Sequence, residues 1–181
     1  MEQPNNTFSK NAIPVKFGLF IGFGMMFFTT INNLYWINNF ILYSVMNFVI
    51  LIGGLIGIVL SGLQQRKAMG GYITIKEAFS ALFITTVIAS FINAVYGYIY
   101  ASTIDPNLVD KIKAGSIELM ERMKAPEEAI DQAMEAMEAK TKDSLKISKV
   151  LFAYAQSLIG YGIVNFIIAA IIKKNKPAET V

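Results

Sequence analysis

The chain has 181 residues, of which 54% are hydrophobic and only 16% charged, with a mean hydropathy of +0.48 and a formal net charge of +3. That balance leaves a water-soluble domain of this size too little polar surface to cover itself. There is no Cys and no His, which removes disulfides, thiolate and imidazole chemistry, zinc sites and His-ligated haem, and the basic residues form no aromatic-interleaved stripe to grip a nucleic acid.

Four apolar blocks organise the sequence, at about 15–37, 40–63, 75–100 and 150–172. Each reaches the roughly 20 residues that a helix needs to cross a lipid core, and their only charges, Lys16, Lys76 and Glu77, stand in first turns. The predicted fold class is all-α, an integral membrane bundle of four transmembrane helices in one domain over 1–181. A helical extramembrane loop, 101–149, separates the third helix from the fourth. The lipid bilayer is the first partner this implies; no cofactor, metal or nucleic acid is expected.

The first block follows Lys10 and Lys16 as a secretory leader would, but its apolar run continues through Leu34-Tyr35-Trp36-Ile37 and no small-x-small cleavage site follows. It is therefore read as a retained span, with Asn32, Asn33, Tyr35 and Trp36 at the water interface. Only Asn38-Asn39 separates it from the second block, which predicts a tight antiparallel hairpin using the tolerance of Asn for unusual backbone angles. Gly18 and Gly22 in the first helix, and Gly53, Gly57 and Ser61 in the second, form small-residue stripes that let backbones approach closely, within the protomer or between copies.

After the second block comes Gln64-Gln65-Arg66-Lys67-Ala68-Met69-Gly70-Gly71-Tyr72-Ile73-Thr74-Ile75-Lys76-Glu77-Ala78-Phe79. Gly70-Gly71 is a turn signal, and it lacks the spacing of a phosphate-binding loop. Thr74 and Glu77 have the T-x-x-E spacing of a capping box, predicting that the third helix starts at about Ile75. That helix carries Ala81, Thr85, Ala89, Asn93 and Gly97 at four-residue intervals, a small and polar stripe expected to face other helices, with Phe83, Val87 and Phe91 elsewhere. The fourth block repeats the spacing in Ala153, Ser157, Tyr161 and Asn165, beside Gln156 and Gly160. An unpaired amide in hydrocarbon costs several kcal/mol, so Asn47, Asn93, Gln156 and Asn165 are expected to bond across helices, or to line a neutral polar pathway.

Between 101 and 149 the composition turns charged and rich in Met and Ala, with ten acidic and eight basic residues. Leu108, Ile112, Leu119, Met120 and Met123 recur at helical spacing, and so do Ile130, Met134, Met137 and Leu145 after Ala125-Pro126-Glu127-Glu128. The latter segment places Pro at the first helical position and acids in the first turn. Two amphipathic helices are predicted, the second free of proline as far as Ile172 and able to continue into the fourth span as a rod of roughly 65 Å. The seam of Ile130, Met134, Met137 and Leu145 is expected to meet the first loop helix or to receive a protein partner, since Met-rich surfaces adapt readily.

Lys10, Lys16, Arg66, Lys67, Lys76, Lys173, Lys174 and Lys176 fall on the side of both termini, whereas the opposite hairpin turn has no Lys or Arg. The excess of basic residues in short cytoplasmic segments places both termini in the cytoplasm. The loop's eight basic residues weigh less because they are spread over a long segment.

The chain resembles the domain-of-unknown-function family 4199 (DUF4199), small four-helix membrane proteins of Bacteroidetes bacteria. The resemblance covers nearly the whole chain. It rests on Arg66-Lys67 followed by 70–79, on Ile104-Asp105-Pro106 and on the Lys173-Lys174 tail. It implies a bacterial source and an inner (cytoplasmic) membrane location, and it brings no activity, substrate or catalytic residue. The residues favour a non-enzymatic envelope or interaction protein, with a homo-oligomer or another protein as partner. The alternative is a small transporter or channel with a neutral polar pathway, because no ionisable group lies deep in a span to couple ions. The loop carboxylates, interspersed with lysines, read as a solvated face and not as acid–base machinery.

Overall fold

The computed structural model describes the backbone of residues 12–144 and 146–176, and the side chains of these residues apart from 138–144. Among the described residues are six α-helices: α1 (Ala12–Tyr35), α2 (Phe40–Ala68), α3 (Ile75–Ile99), α4 (Leu108–Arg122), α5 (Glu127–Ser144) and α6 (Ile147–Ile172). A π-helical segment, Tyr100–Ile104, extends α3 and closes with the Asp105 N–H donating to Tyr100 O at 2.8 Å. Helices α1, α2, α6 and α3 with its extension are long and apolar enough to cross a membrane. Their outer faces carry exposed Phe20, Phe23, Phe27, Phe48, Phe152 and Phe166, a surface that water would penalise and acyl chains accommodate.

The third helix is the centre of the bundle. It packs most extensively on α1, then on α6, and also on α2, and its inward face, Ala78, Ala81, Leu82, Thr85, Thr86 and Ala89, is buried. The α1 glycines serve this contact. A Cβ on Gly18 would lie 2.8 Å from Ile88 Cβ, and one on Gly22 would lie 2.7 Å from Ile92 Cδ1. The predicted close approach therefore joins α1 to α3, and the α2 stripe is divided: Gly57 meets Ile21 of α1, Ser61 meets α3, and Gly53 has nothing within 4 Å. On α3, Gly97 likewise faces open space.

Local chemistry sets the helix ends. Asn39 keeps a negative φ of −121° and caps α2 by accepting from the Leu42 N–H at 3.2 Å. The hairpin turn thus uses the carboxamide of Asn39 as a cap, and neither Asn38 nor Asn39 has a positive φ. Asn32 and Asn33, in the last turns of α1, are buried against the bundle, and Asn32 donates to Tyr43 O across the hairpin. Helix α2 continues five residues past Leu63 and ends in a Schellman turn, with Gly70 N–H donating to Lys67 O and Gly71 N–H to Arg66 O. Gly70, the residue after the cap, has the positive φ this requires, and Gly71 has a positive φ as well. Thr74 and Glu77 form the capping box of α3, the Thr74 hydroxyl accepting from the Glu77 N–H and the Glu77 carboxylate accepting from the Thr74 N–H.

Helix α4 docks on the bundle end. Leu108 is buried with Ile37, Tyr100 and Ala101, Ile112 packs on the same cluster, and a Cβ on Gly115 would fall 2.8 Å from Phe40. Its seam is therefore turned toward the α1–α2 hairpin as well as toward α5. A second Schellman turn ends α4, with Lys124 N–H to Glu121 O and Ala125 N–H to Met120 O, and puts Lys124 at a φ of +55°. Pro126 precedes α5 as its cap instead of opening it, its carbonyl accepting from Ala129 and Ile130. The continuous rod from α5 into α6 is not formed: Lys146 is extended (φ −77°, ψ 126°), and α6 begins anew at Ile147.

Candidate functional site

Two polar junctions on α3 hold the bundle, and the second borders a recess between α2 and α6. At the first, Thr85 and Ser61, both fully buried, lie 2.7 Å apart through their hydroxyls. Thr85 has one proton to give and points it at the carbonyls of Ala81, one turn back, and Pro14 of α1. Ser61 is then the donor to Thr85, so that one hydroxyl pair links three helices. At the second, Asn165 of α6, 2% exposed, donates through Nδ2 to Thr86 Oγ1 at 3.0 Å, and Thr86 donates to its own helix at Leu82 O. Asn93 donates to Ala89 O at 2.9 Å and to Gly22 O of α1 at 3.4 Å.

Helices α2 and α6 meet where a Cβ on Gly62 would fall 2.6 Å from Ile172, and contact each other little elsewhere. Between them lies a crevice of about 740 Å³, with α3 beside it. Its α6 wall is the stripe Ala153, Ser157, Tyr161 and Asn165, its α3 wall includes Ser90 and Asn93, and Lys149 stands on its lining at the start of α6. This size suits a small or amphiphilic molecule, with an apolar body and a few polar contacts.

The predicted polar set is thus divided. Asn93 and Asn165 line the crevice and bond to other helices. Asn47 donates to Tyr43 O of its own helix at 3.1 Å, one turn back, where a helix supplies an acceptor without any neighbour. Gln156 is exposed on α6, one position from Ser157 and so about 100° round the helix from the crevice wall. Neither belongs to the crevice lining. Among the described residues, Asn32, Asn33, Ser61, Gln65, Thr85 and Thr86 are the other buried polar groups, and Ser90 lines the crevice; for Ser61 and Thr85 the four-residue spacing was the available signal, and for Asn32 there was none beyond residue type.

Of the loop seam, Ile130 and Met137 are half-buried and Met134 is 40% exposed, while Leu145 lies outside the described residues. Met123, at the end of α4, is 73% exposed. On the bundle end near both described termini, Ile73 and Lys174 form an antiparallel bridge with both N–H···O contacts at 2.9 Å. Arg66 Nη1 there donates to Ile172 O, at the end of α6, at 3.0 Å.

No curated protein and no solved structure gives a significant match to the chain. The profile of a family described as a protein of unknown function, DUF4199, matches residues 16–174. The match takes in α1 from residue 16, the other three apolar helices, the α4–α5 hairpin and the Ile73–Lys174 bridge, and the chain belongs to the DUF4199 family.

Proposed function

We propose that this membrane protein is non-enzymatic, that it resides in a bacterial inner membrane with both termini cytoplasmic, and that its α4–α5 hairpin binds another envelope protein. The observation that carries the reading is the exposure of Met123 and Met134 on helices that lie outside the four apolar ones, where acyl chains do not cover them. Helix α4 spends Leu108, Ile112 and Gly115 on the bundle, which fixes the base of the hairpin and leaves Met123 and Met134 turned to solvent. Methionine suits such a role because its unbranched thioether adapts to irregular partners. The orientation rests on Lys16, Arg66, Lys67, Lys76, Lys173 and Lys174 gathering at one end of the bundle.

A cysteine in place of exposed Ala136 on α5 tests both parts in intact cells. The reading expects labelling by a membrane-impermeant thiol reagent, and a crosslinked adduct that Met123→Glu/Met134→Glu abolishes while the protein still inserts. Labelling only after the inner membrane is opened would overturn the orientation; an adduct unchanged in the double variant would overturn the role of the hairpin.

The crevice favours a second reading, a path or resting place for a small neutral solute contacted by Asn93, Asn165 and Ser157. A solute that co-purifies with the wild-type protein and is lost in Asn165→Leu would favour it over the hairpin.

A further inference from the structure

At the end of the bundle opposite the hairpin, three chain segments, two of them bringing basic side chains, surround one groove of about 530 Å³. Its apolar part is Phe17 of α1 with Leu60 and Leu63 of α2, and its rim carries Arg66, Lys67 and Lys174. Among the described residues that line it there is no carboxylate. The rim is built, because its backbone and one of its side chains are fixed. Arg66 is tied to Ile172 O, the Gly71 N–H donates to Arg66 O, and the Ile73–Lys174 bridge places Lys174 with its ammonium 5.5 Å from the centre of the Tyr72 ring. One guanidinium N–H is spent on Ile172 O, which leaves the others for a ligand.

We propose that this groove is a binding site for an anionic phospholipid. One acyl chain lies against Phe17, Leu60 and Leu63, and the phosphate lies between Arg66, Lys67 and Lys174. The apolar part belongs to helices long enough to cross the bilayer and the cations stand at their ends, so the groove reproduces the polarity of a lipid along its length. A soluble phosphate would use the rim alone. Basic pockets between membrane helices recognise anionic headgroups through charge, and each Lys or Arg contributes roughly a fivefold gain in affinity.

The test uses the full chain in a detergent–phosphatidylcholine background, titrated with phosphatidylglycerol, with more phosphatidylcholine, or with inorganic phosphate at matched ionic strength. Thermal unfolding and native mass spectrometry are the readouts. Phosphatidylglycerol is expected to raise the unfolding midpoint and remain bound, while the other two do neither. Lys67→Gln/Lys174→Gln should weaken that response roughly 30-fold. Lys113→Gln/Lys124→Gln, which removes the same charge from the hairpin, should leave it unchanged. If the groove variant does not fold in phosphatidylcholine, Lys67→Gln alone is scored, with a weakening of roughly fivefold. Equal responses to the two lipids, a phosphate effect as large as that of phosphatidylglycerol, or equal losses in groove and hairpin variants would each overturn the proposal.

Discussion

Replacing Gly18 by alanine tests whether α1 and α3 pack backbone to backbone. The added Cβ would stand 2.8 Å from Ile88 Cβ and 3.0 Å from Thr85 O, whereas carbon atoms in good contact lie about 3.5 to 4 Å apart. Neither neighbour is the free end of a flexible chain, so α1 must move by some tenths of an ångström. That motion also stretches the contact between Pro14 O and the Thr85 hydroxyl, 3.1 Å in the native bundle. Overpacking of this kind costs about 1 to 3 kcal/mol, and alanine returns about 0.5 to 1 kcal/mol of helix stability relative to glycine. The net loss is about 0 to 2.5 kcal/mol, or a fall of up to roughly 10 °C in the unfolding midpoint of a chain this long. Gly24, on the same helix with nothing within 4 Å, is the internal control. Gly24→Ala keeps the helical gain without the clash and should raise the midpoint by roughly 1 to 4 °C. The assay is thermal unfolding in one detergent for both variants. If the two midpoints move in the same direction by the same amount, the close approach at Gly18 does not exist.

Three further substitutions probe other parts of the molecule. Thr74→Ala removes the hydroxyl of the capping box and should cost about 0.5 to 2 kcal/mol in the same assay, with Thr74→Ser nearly neutral; equal stability of the Ala variant and the wild type would argue against the box. Thr86→Val and Asn165→Leu should show a coupling of about 0.6 kcal/mol, and at most about 1.7, in a double-mutant cycle, whereas strict additivity would mean that α3 and α6 do not bond there. Lys124→Gly should stabilise the hairpin by about 0.5 to 1 kcal/mol, since it removes the left-handed strain and loses part of the gain to unfolded-chain entropy. Slower amide exchange at Ala125 would report it, and faster exchange would contradict the assigned turn.

What could be read from the chain before any coordinates was whatever a single segment determines by itself. Block lengths marked the four apolar helices because the helical rise and the thickness of a bilayer are both fixed. Thr74 and Glu77 were legible for a related reason: a capping box is closed by atoms three residues apart and needs no neighbour. Gly70-Gly71 belongs to the same class, since the Schellman turn that ends α2 bonds only residues 66–71. The stripe from Ala153 to Asn165 also came through, because four-residue spacing keeps side chains near one face whichever helix they meet.

Partner choice was not legible, and the reason is that spacing states which face is small but not what lies opposite it. Gly18 and Gly22 were equally suited to α2, the neighbour along the chain, and the bundle instead sets them against α3. A similar ambiguity separates the four amides. Asn47, Asn93 and Asn165 are chemically alike, and each had to find an acceptor. A helix offers every Asn a carbonyl one turn back, so Asn47 is satisfied at Tyr43 O without a neighbour. Asn93 uses the same device at Ala89 O and still reaches Gly22 O with its second proton, because the glycine brings the α1 backbone within range. The reach of Asn93 thus depends on a residue 71 positions away, which no local pattern in α3 records. Asn165 has a different neighbour: Thr86 offers an oxygen whose own proton is committed to Leu82 O. The hydroxyl oxygen therefore accepts from α6 at 3.0 Å, while its proton lies nearer to Leu82 O, at 2.9 Å, than to Asn165 Oδ1, at 3.4 Å, so the direction of the shorter bond follows from a contact made within α3.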